Sequence, residues 1–347
     1  MFRNVRYCTL LTLCLLLAVR PADARSAAED VLERRGLVRQ QQVWVLPLEV
    51  EMQQQVRRLP KLESDLIESR SAAQRLAQSL LTAHAQLSAR IETAETNVRT
   101  LQALREAARS SGRRKIDARI ASEQQQAEQL RAAVVPPEEI AGTLRMRTAM
   151  IQLVNSRNDL TAALLWIHDT RPALRTQYEL LAGDREITRA IGELGDEHRL
   201  STGEQFDSDA FLRKLARFEL HVFTDEVPLY LQGEDLQVSA IINRTPITFT
   251  WNEYDEPTML TASVIEASGL KVPKDAERLK HRFPDGRELV VRRFEIPYLR
   301  FGRHVLKNVE ALALPPEAER YGAQIGPTGF ADHSPRAEPE KMRLVIR

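Results

Sequence analysis

The sequence is poor in the residues that commit a chain to several familiar chemistries. Of 347 residues only two are cysteine, Cys8 and Cys14, and both lie in an apolar N-terminal stretch. A chain processed beyond them has no thiol, disulfide or cysteine metal site. Aromatic residues make up 5%, low for one large packed core. Neither sign of charge is in excess, with 49 Lys and Arg against 48 Asp and Glu, so a net charge of +1 leaves no basic footprint for nucleic acid. No apolar run reaches the ~20 residues that span a bilayer. The seven histidines are scattered without a His-Glu-x-x-His spacing, and Asp196-Glu197-His198 reads as a solvated cluster on a flexible stretch. No Gly-x-Ser-x-Gly elbow or glycine-rich phosphate loop is present. The expectation is no metal and no cofactor.

What is present is organised by position. Arg3 and Arg6, the apolar residues 9–19 and Ala22-Asp23-Ala24 have the pattern of an export signal over residues 1–24, cleaved after Ala24. The alternative is an uncleaved anchor. The mature protein is then expected to be exported, to a periplasmic, cell-envelope or secreted location, with no membrane span after cleavage. Residues 25–48 suggest a small lead-in motif: a short helix, a stop at Gly36 and a brief strand before Pro47.

Residues 49–199 read as a coiled-coil-like helical region. Ala73, Leu76, Leu80, Ala83, Leu87, Ile91, Ala94, Val98 and Leu101 are spaced by threes and fours, a heptad seam with one slip. So thin a stripe needs a partner helix, either within the chain or from a second copy. Breaks are expected at Ser110-Ser111-Gly112, at Pro136-Pro137 and at Pro172. Asn158 falls on a core-type position where a polar residue fixes helix register. Residues 200–226 read as a linker with a short helix through Phe211, Leu215 and Phe218.

From residue 227 the pattern changes to strand-like runs at 237–243, 247–251, 288–296, 304–314 and 342–346, and Asp285-Gly286 marks a tight hairpin. The order of pieces over residues 227–347 resembles the single-domain retropepsin-like aspartic proteases. A strand pair over 238–251 is followed by Thr258-Met259-Leu260-Thr261, a short helix ending in Gly269-Leu270, a flap at Phe283-Pro284-Asp285-Gly286, and a second Gly element at Ile325-Gly326. The fold implied is α+β, a long helical region followed by a small closed β-barrel.

The resemblance also implies where chemistry would sit. Trp251-Asn252-Glu253-Tyr254-Asp255 occupies the place of hydrophobic-Asp-Thr-Gly-Ala, so Asn252, Glu253 and Tyr254 replace the catalytic triplet. Aspartic proteolysis needs two carboxylates sharing one proton, which an amide at 252 cannot supply. The resemblance therefore implies a catalytically inactive domain, without a confident catalytic residue, acting in peptide or protein binding or scaffolding. A homodimer through the helices or the barrel is the other partner expectation. The alternatives are an active aspartic endopeptidase working as a homodimer through a shifted carboxylate such as Asp255, and a purely structural coiled-coil protein.

Overall fold

The computed structural model describes residues 26–254, 256–283, 285–330 and 333–347. The export signal expected over residues 1–24 and the carboxylate Asp255 lie outside them. Along the chain come helix α1 (Ala27–Arg34), strands β1 (Val38–Gln40) and β2 (Val43–Val45), then helices α2 (Pro47–Ala107), α3 (Ser110–Ala133), α4 (Leu144–Ala182) and α5 (Arg185–Leu194). Strand β3 (Arg199–Leu200) and helix α6 (Asp209–Glu219) follow. The remainder is mostly strand: β4 (Glu226–Gln232), β5 (Asp235–Ile242), β6 (Thr245–Trp251) and β7 (Thr258–Leu260), then helix α7 (Ala262–Ala267). The chain closes with β8 (Arg278–Arg282), β9 (Glu288–Phe301), β10 (His304–Ala313), β11 (Gln324–Ile325), β12 (Pro335–Glu338) and β13 (Arg343–Ile346). Among the described residues no helix is long and apolar enough to cross a membrane.

The chain divides into two compact units, one made of residues up to Val56 with His168–Phe211, the other of Arg57–Ile167 with Leu212–Arg347. Helices 57–167 thus share a unit with the C-terminal strands, a grouping that does not follow a cut at 200–226.

In the first unit, Ser26 and Glu29 form a reciprocal capping box that starts α1, and Asp184 caps α5 through the amides of Glu186 and Ile187. Arg35 ties the end of α1 to Glu186 at 2.7 Å. Strands β1, β2 and β3 form a small sheet in that order, β3 running parallel to β2. Leu200, expected in a linker, is therefore a strand residue. Pro172, expected to interrupt the helix, does not, since it lies inside α4, a continuous helix of 39 residues. The loss of one backbone bond is outweighed by the packing of the neighbouring turns, where Thr170 and Leu174 are buried.

In the second unit α2 and α3 pair within the chain. Asn97 Nδ2 donates to Glu123 at 3.2 Å, and Arg105 meets Asp117, so residue numbers fall along one helix as they rise along the other. This is an antiparallel hairpin that turns at Ala108-Arg109, just before the break expected at Ser110-Ser111-Gly112, which instead opens α3. Ala73 and Ala94 of the seam are buried, and most of the larger seam residues are half-buried.

The C-terminal strands form one sheet ordered β12-β13-β4-β5-β6-β11-β7-β10-β9-β8, with one further pairing of Ile241 in β5 with Arg300 in β9. The expected closed barrel is corrected here. The sheet curls back on itself through a single residue pair and keeps free edges at β12 and β8. The reason is the length of β9, expected over 288–296 but running 14 residues, so that it serves β8 along its first part and reaches β5 only near its end. Its turn into β10 at Gly302-Arg303 needs glycine: φ is +55°, and a Cβ there would run into the Thr224 carbonyl. Val238, Ala240, Ile242, Phe249, Phe301 and Phe330 lie at the centre of the core. Both faces of β5 are buried from Gln237 to Ile242.

Candidate functional site

The loop expected to stand in place of a catalytic triplet is formed by the way β11 splits a strand pair. Strand β6 runs parallel to β11, with Thr250 opposite Gln324 and Trp251 opposite Ile325, while β7 lies antiparallel on the other side of β11 through Met259. The chain between Trp251 and Thr258 must therefore pass around the end of β11, beside Gly326. The backbone amides of Thr250 and Asn252 donate to the carbonyls of Ala323 and Ile325, each at 2.8 Å.

Gly326 is required by distance. A Cβ at this position would lie 2.7 Å from the Asn252 carbonyl oxygen and 2.8 Å from that of Tyr254. Any side chain would push the loop away. Gly329 is equally crowded, its absent Cβ falling 2.6 Å from Thr258 Oγ1. Thr328 Oγ1 donates to the Glu256 carbonyl at 2.6 Å, a second brace between the loop and the turn after β11. Trp251 packs edge-on against Phe330 with ring centres 5.9 Å apart.

Within this frame Asn252 acts as an amide in both directions. Its Oδ1 accepts from the Tyr254 backbone amide at 3.0 Å, an Asx turn, and its Nδ2 donates to Glu256 Oε2 at 2.8 Å. Glu253 and Tyr254 point outward, with Tyr254 77% exposed. Among the described residues the Asn252 side chain meets one carboxylate, Glu256. Sequence reasoning missed Glu256, and it missed the brace from Thr328. The signal was there in Pro327-Thr328-Gly329, where a hydroxyl follows the crowded Gly326.

The expected flap residues are brought together at the β8–β9 turn. Gly286 takes φ +83°, which the turn requires. Phe283 is buried and stacks on Tyr321, with ring centres 4.2 Å apart and 13° between planes. Asp285 accepts from Arg320 and from the Arg287 backbone amide. The Tyr321 hydroxyl is the largest influence holding the Asp285 carboxyl below its ordinary 3.8; desolvation, next in size, opposes it and is outweighed with the help of the Arg287 amide and the charges of Arg320 and Arg287. Gln324 Nε2 donates to the Tyr321 carbonyl at 3.1 Å, so the segment that latches the β8–β9 turn leads directly into β11.

Among the described residues no group of three His, Cys, Asp or Glu side chains is placed to hold a metal ion. Asn158, expected to set helix register, is not used that way: its Oδ1 accepts from Ser239 Oγ in β5 at 3.0 Å. A strand 81 positions away took the polar atom that the heptad pattern assigned to a helix.

No protein-family model matches the chain. No curated protein matches it either. Among solved structures, the crystal structure of a retropepsin-like aspartic protease from Rickettsia conorii is similar at 12% identity with a TM-score of 0.29, covering 35% of this chain and 87% of that one.

Proposed function

We propose that residues 227–347 form a non-catalytic peptide- or protein-binding domain of an exported protein, with the helical hairpin setting its spacing or oligomeric state. The observation that carries this reading is the pairing of Asn252 with Glu256. Acid-catalysed peptide hydrolysis by a carboxylate pair needs one carboxyl to activate water while its protonated neighbour polarises the carbonyl. An amide beside a carboxylate cannot share a proton in that way. The exposed Tyr254 ring at the loop tip, held by the Asx turn, supports a recognition role, because an aromatic with a polar edge gives large contact area at low entropic cost.

The experiment uses the full chain. Incubated with an unfolded polypeptide substrate between pH 3 and 6, it is expected to leave the substrate intact, with or without pepstatin. In a peptide-array screen it is expected to bind a subset of peptides, and Tyr254→Ala is expected to weaken that binding about tenfold. Failure to bind any peptide would favour a purely structural role. The active-enzyme reading has Glu256 in its favour as a carboxylate already in the loop, and pepstatin-sensitive cleavage abolished by Glu256→Gln or Asp255→Asn would establish it instead.

A further inference from the structure

The second unit holds a groove of about 900 Å³ between α2, α4 and the start of β4, away from the loop around Asn252. Its walls are one apolar line from each helix. On α2 this is Ala73, Ala77 and Leu81, spaced by four, and on α4 it is Met146, Met150 and Leu153. Small side chains at 73 and 77 leave the space open, and Leu81 remains 49% exposed. Val227 and Pro228 close the groove on the sheet side.

The charges around the groove are not equivalent. At the end formed by the chain around the start of β13 the cations are matched by acids: Arg343 pairs with Glu226 at 2.6 Å and with Glu338 at 2.8 Å, Lys341 pairs with Glu338, and Glu340 adds a further carboxylate to the lining. Arg157 and Arg70 are different. Arg157 is 7% exposed and donates to the Val222 carbonyl at 2.6 Å, while Arg70 donates to the His221 carbonyl at 3.1 Å. Among the described residues neither has a carboxylate partner. Burial, and then the charge of Arg70, pull the Arg157 guanidinium down to about 10 from 12.5, so it stays charged at neutral pH. Backbone carbonyls satisfy hydrogen bonds but do not neutralise a buried guanidinium with a second, half-buried one near it, which remains costly without an anion.

We propose that this groove binds a long-chain carboxylate, its acyl chain lying along the Ala and Met lines and its head group between Arg70 and Arg157. A planar carboxylate matches the guanidinium fork, and unbranched methionines adapt to a flexible chain. The volume lies within the range usual for small-molecule sites, roughly 300–1,000 Å³.

Binding of palmitate to the delipidated full chain, followed by calorimetry, tests this against two probes: hexadecanol, which has the chain without the charge, and acetate, which has the charge without the chain. Palmitate is expected to bind at one site, with hexadecanol and acetate each at least about tenfold weaker. Because Arg157 is buried and has three acceptors, against the His221 carbonyl alone for the half-buried Arg70, the variants are Arg70→Gln, which removes one cation, and Ala77→Trp, which fills the groove. Each is expected to weaken palmitate about tenfold or more while the circular dichroism spectrum stays that of the parent. The proposal is overturned if palmitate does not bind, if hexadecanol binds as well as palmitate, or if both variants keep the parent affinity. It is also overturned if sedimentation shows a dimer that Ala77→Trp dissociates and palmitate does not, which would give the groove to a second copy.

Discussion

Glu49 is 2% exposed, and among the described residues its carboxylate is met only by neutral donors: the Tyr178 hydroxyl, Gln205 at 2.7 Å and Gln53 at 3.2 Å. The Tyr178 oxygen also accepts from the Leu46 amide at 2.9 Å, so one hydroxyl serves two buried groups. Tyr178→Phe removes both bonds and should cost about 2–4 kcal/mol in urea unfolding. Burial first, and the bond to Glu49 second, push the Tyr178 phenol above 10.0, against a smaller opposing effect of the Leu46 amide. The folded state therefore holds this proton more tightly than the unfolded chain does. The resulting stability is complete below pH 10 and is lost as pH rises beyond it, a decline that Tyr178→Phe should lack. Gly326 is the corresponding residue of the loop. Gly326→Ala sets a methyl group against the carbonyls of Asn252 and Tyr254, and should cost about 1–3 kcal/mol while weakening any binding through Tyr254. A parent-like urea midpoint and parent-like peptide binding would contradict the close approach.

Elements show where local rules decide and where packing does. The hairpin of α2 and α3 was legible because a thin heptad seam and a Ser-Ser-Gly break are both local signals, whereas heptads carry no information on whether the partner is internal. Pro172 was misread because its cost is local and the compensating burial around it is not. Pro172→Ala restores the missing amide and relieves the clash one turn back. It should raise stability by about 1–3 kcal/mol, read as an increase in the urea midpoint. The β8–β9 hairpin was signalled by Asp285-Gly286, but its latch was invisible, since Arg320 and Tyr321 lie 35 positions or more from Asp285 and Phe283. The Asp285 carboxyl sits below 3.8, so the latch is intact above that pH and is lost as pH falls through the depressed value. Asp285→Asn should therefore speed amide exchange in residues 283–290 on the order of tenfold at pH 7. The parent should show extra local opening only in strong acid, and equal exchange in both proteins at pH 7 would show the latch to be idle.

At the scale of the second unit, the strands were legible from alternation and turns, and the helical cover over them was not. Strand β5 explains why. Its inward residues Val238, Ala240 and Ile242 join the core, and the alternate residues Gln237, Ser239 and Ile241 are buried as well. A strand covered on both faces needs a second layer, and helix α4 supplies part of it. Asn158 accepts from Ser239, and the neighbouring Arg157 holds the chain leading into β4 through the carbonyls of Val222 and Glu226, the latter at 3.4 Å. A fragment of residues 227–347, the piece that sequence reasoning would excise, keeps the core but strips this cover. Ser239 then loses its partner, and the outer face of β5 meets water. The fragment is expected to bind a hydrophobic dye and to lose near-UV circular dichroism while retaining its far-UV strand signal. If it instead gave the near-UV spectrum and urea midpoint of the same strands in the full chain, the strands would be an independent domain and the helices at 57–167 would be dispensable to their packing.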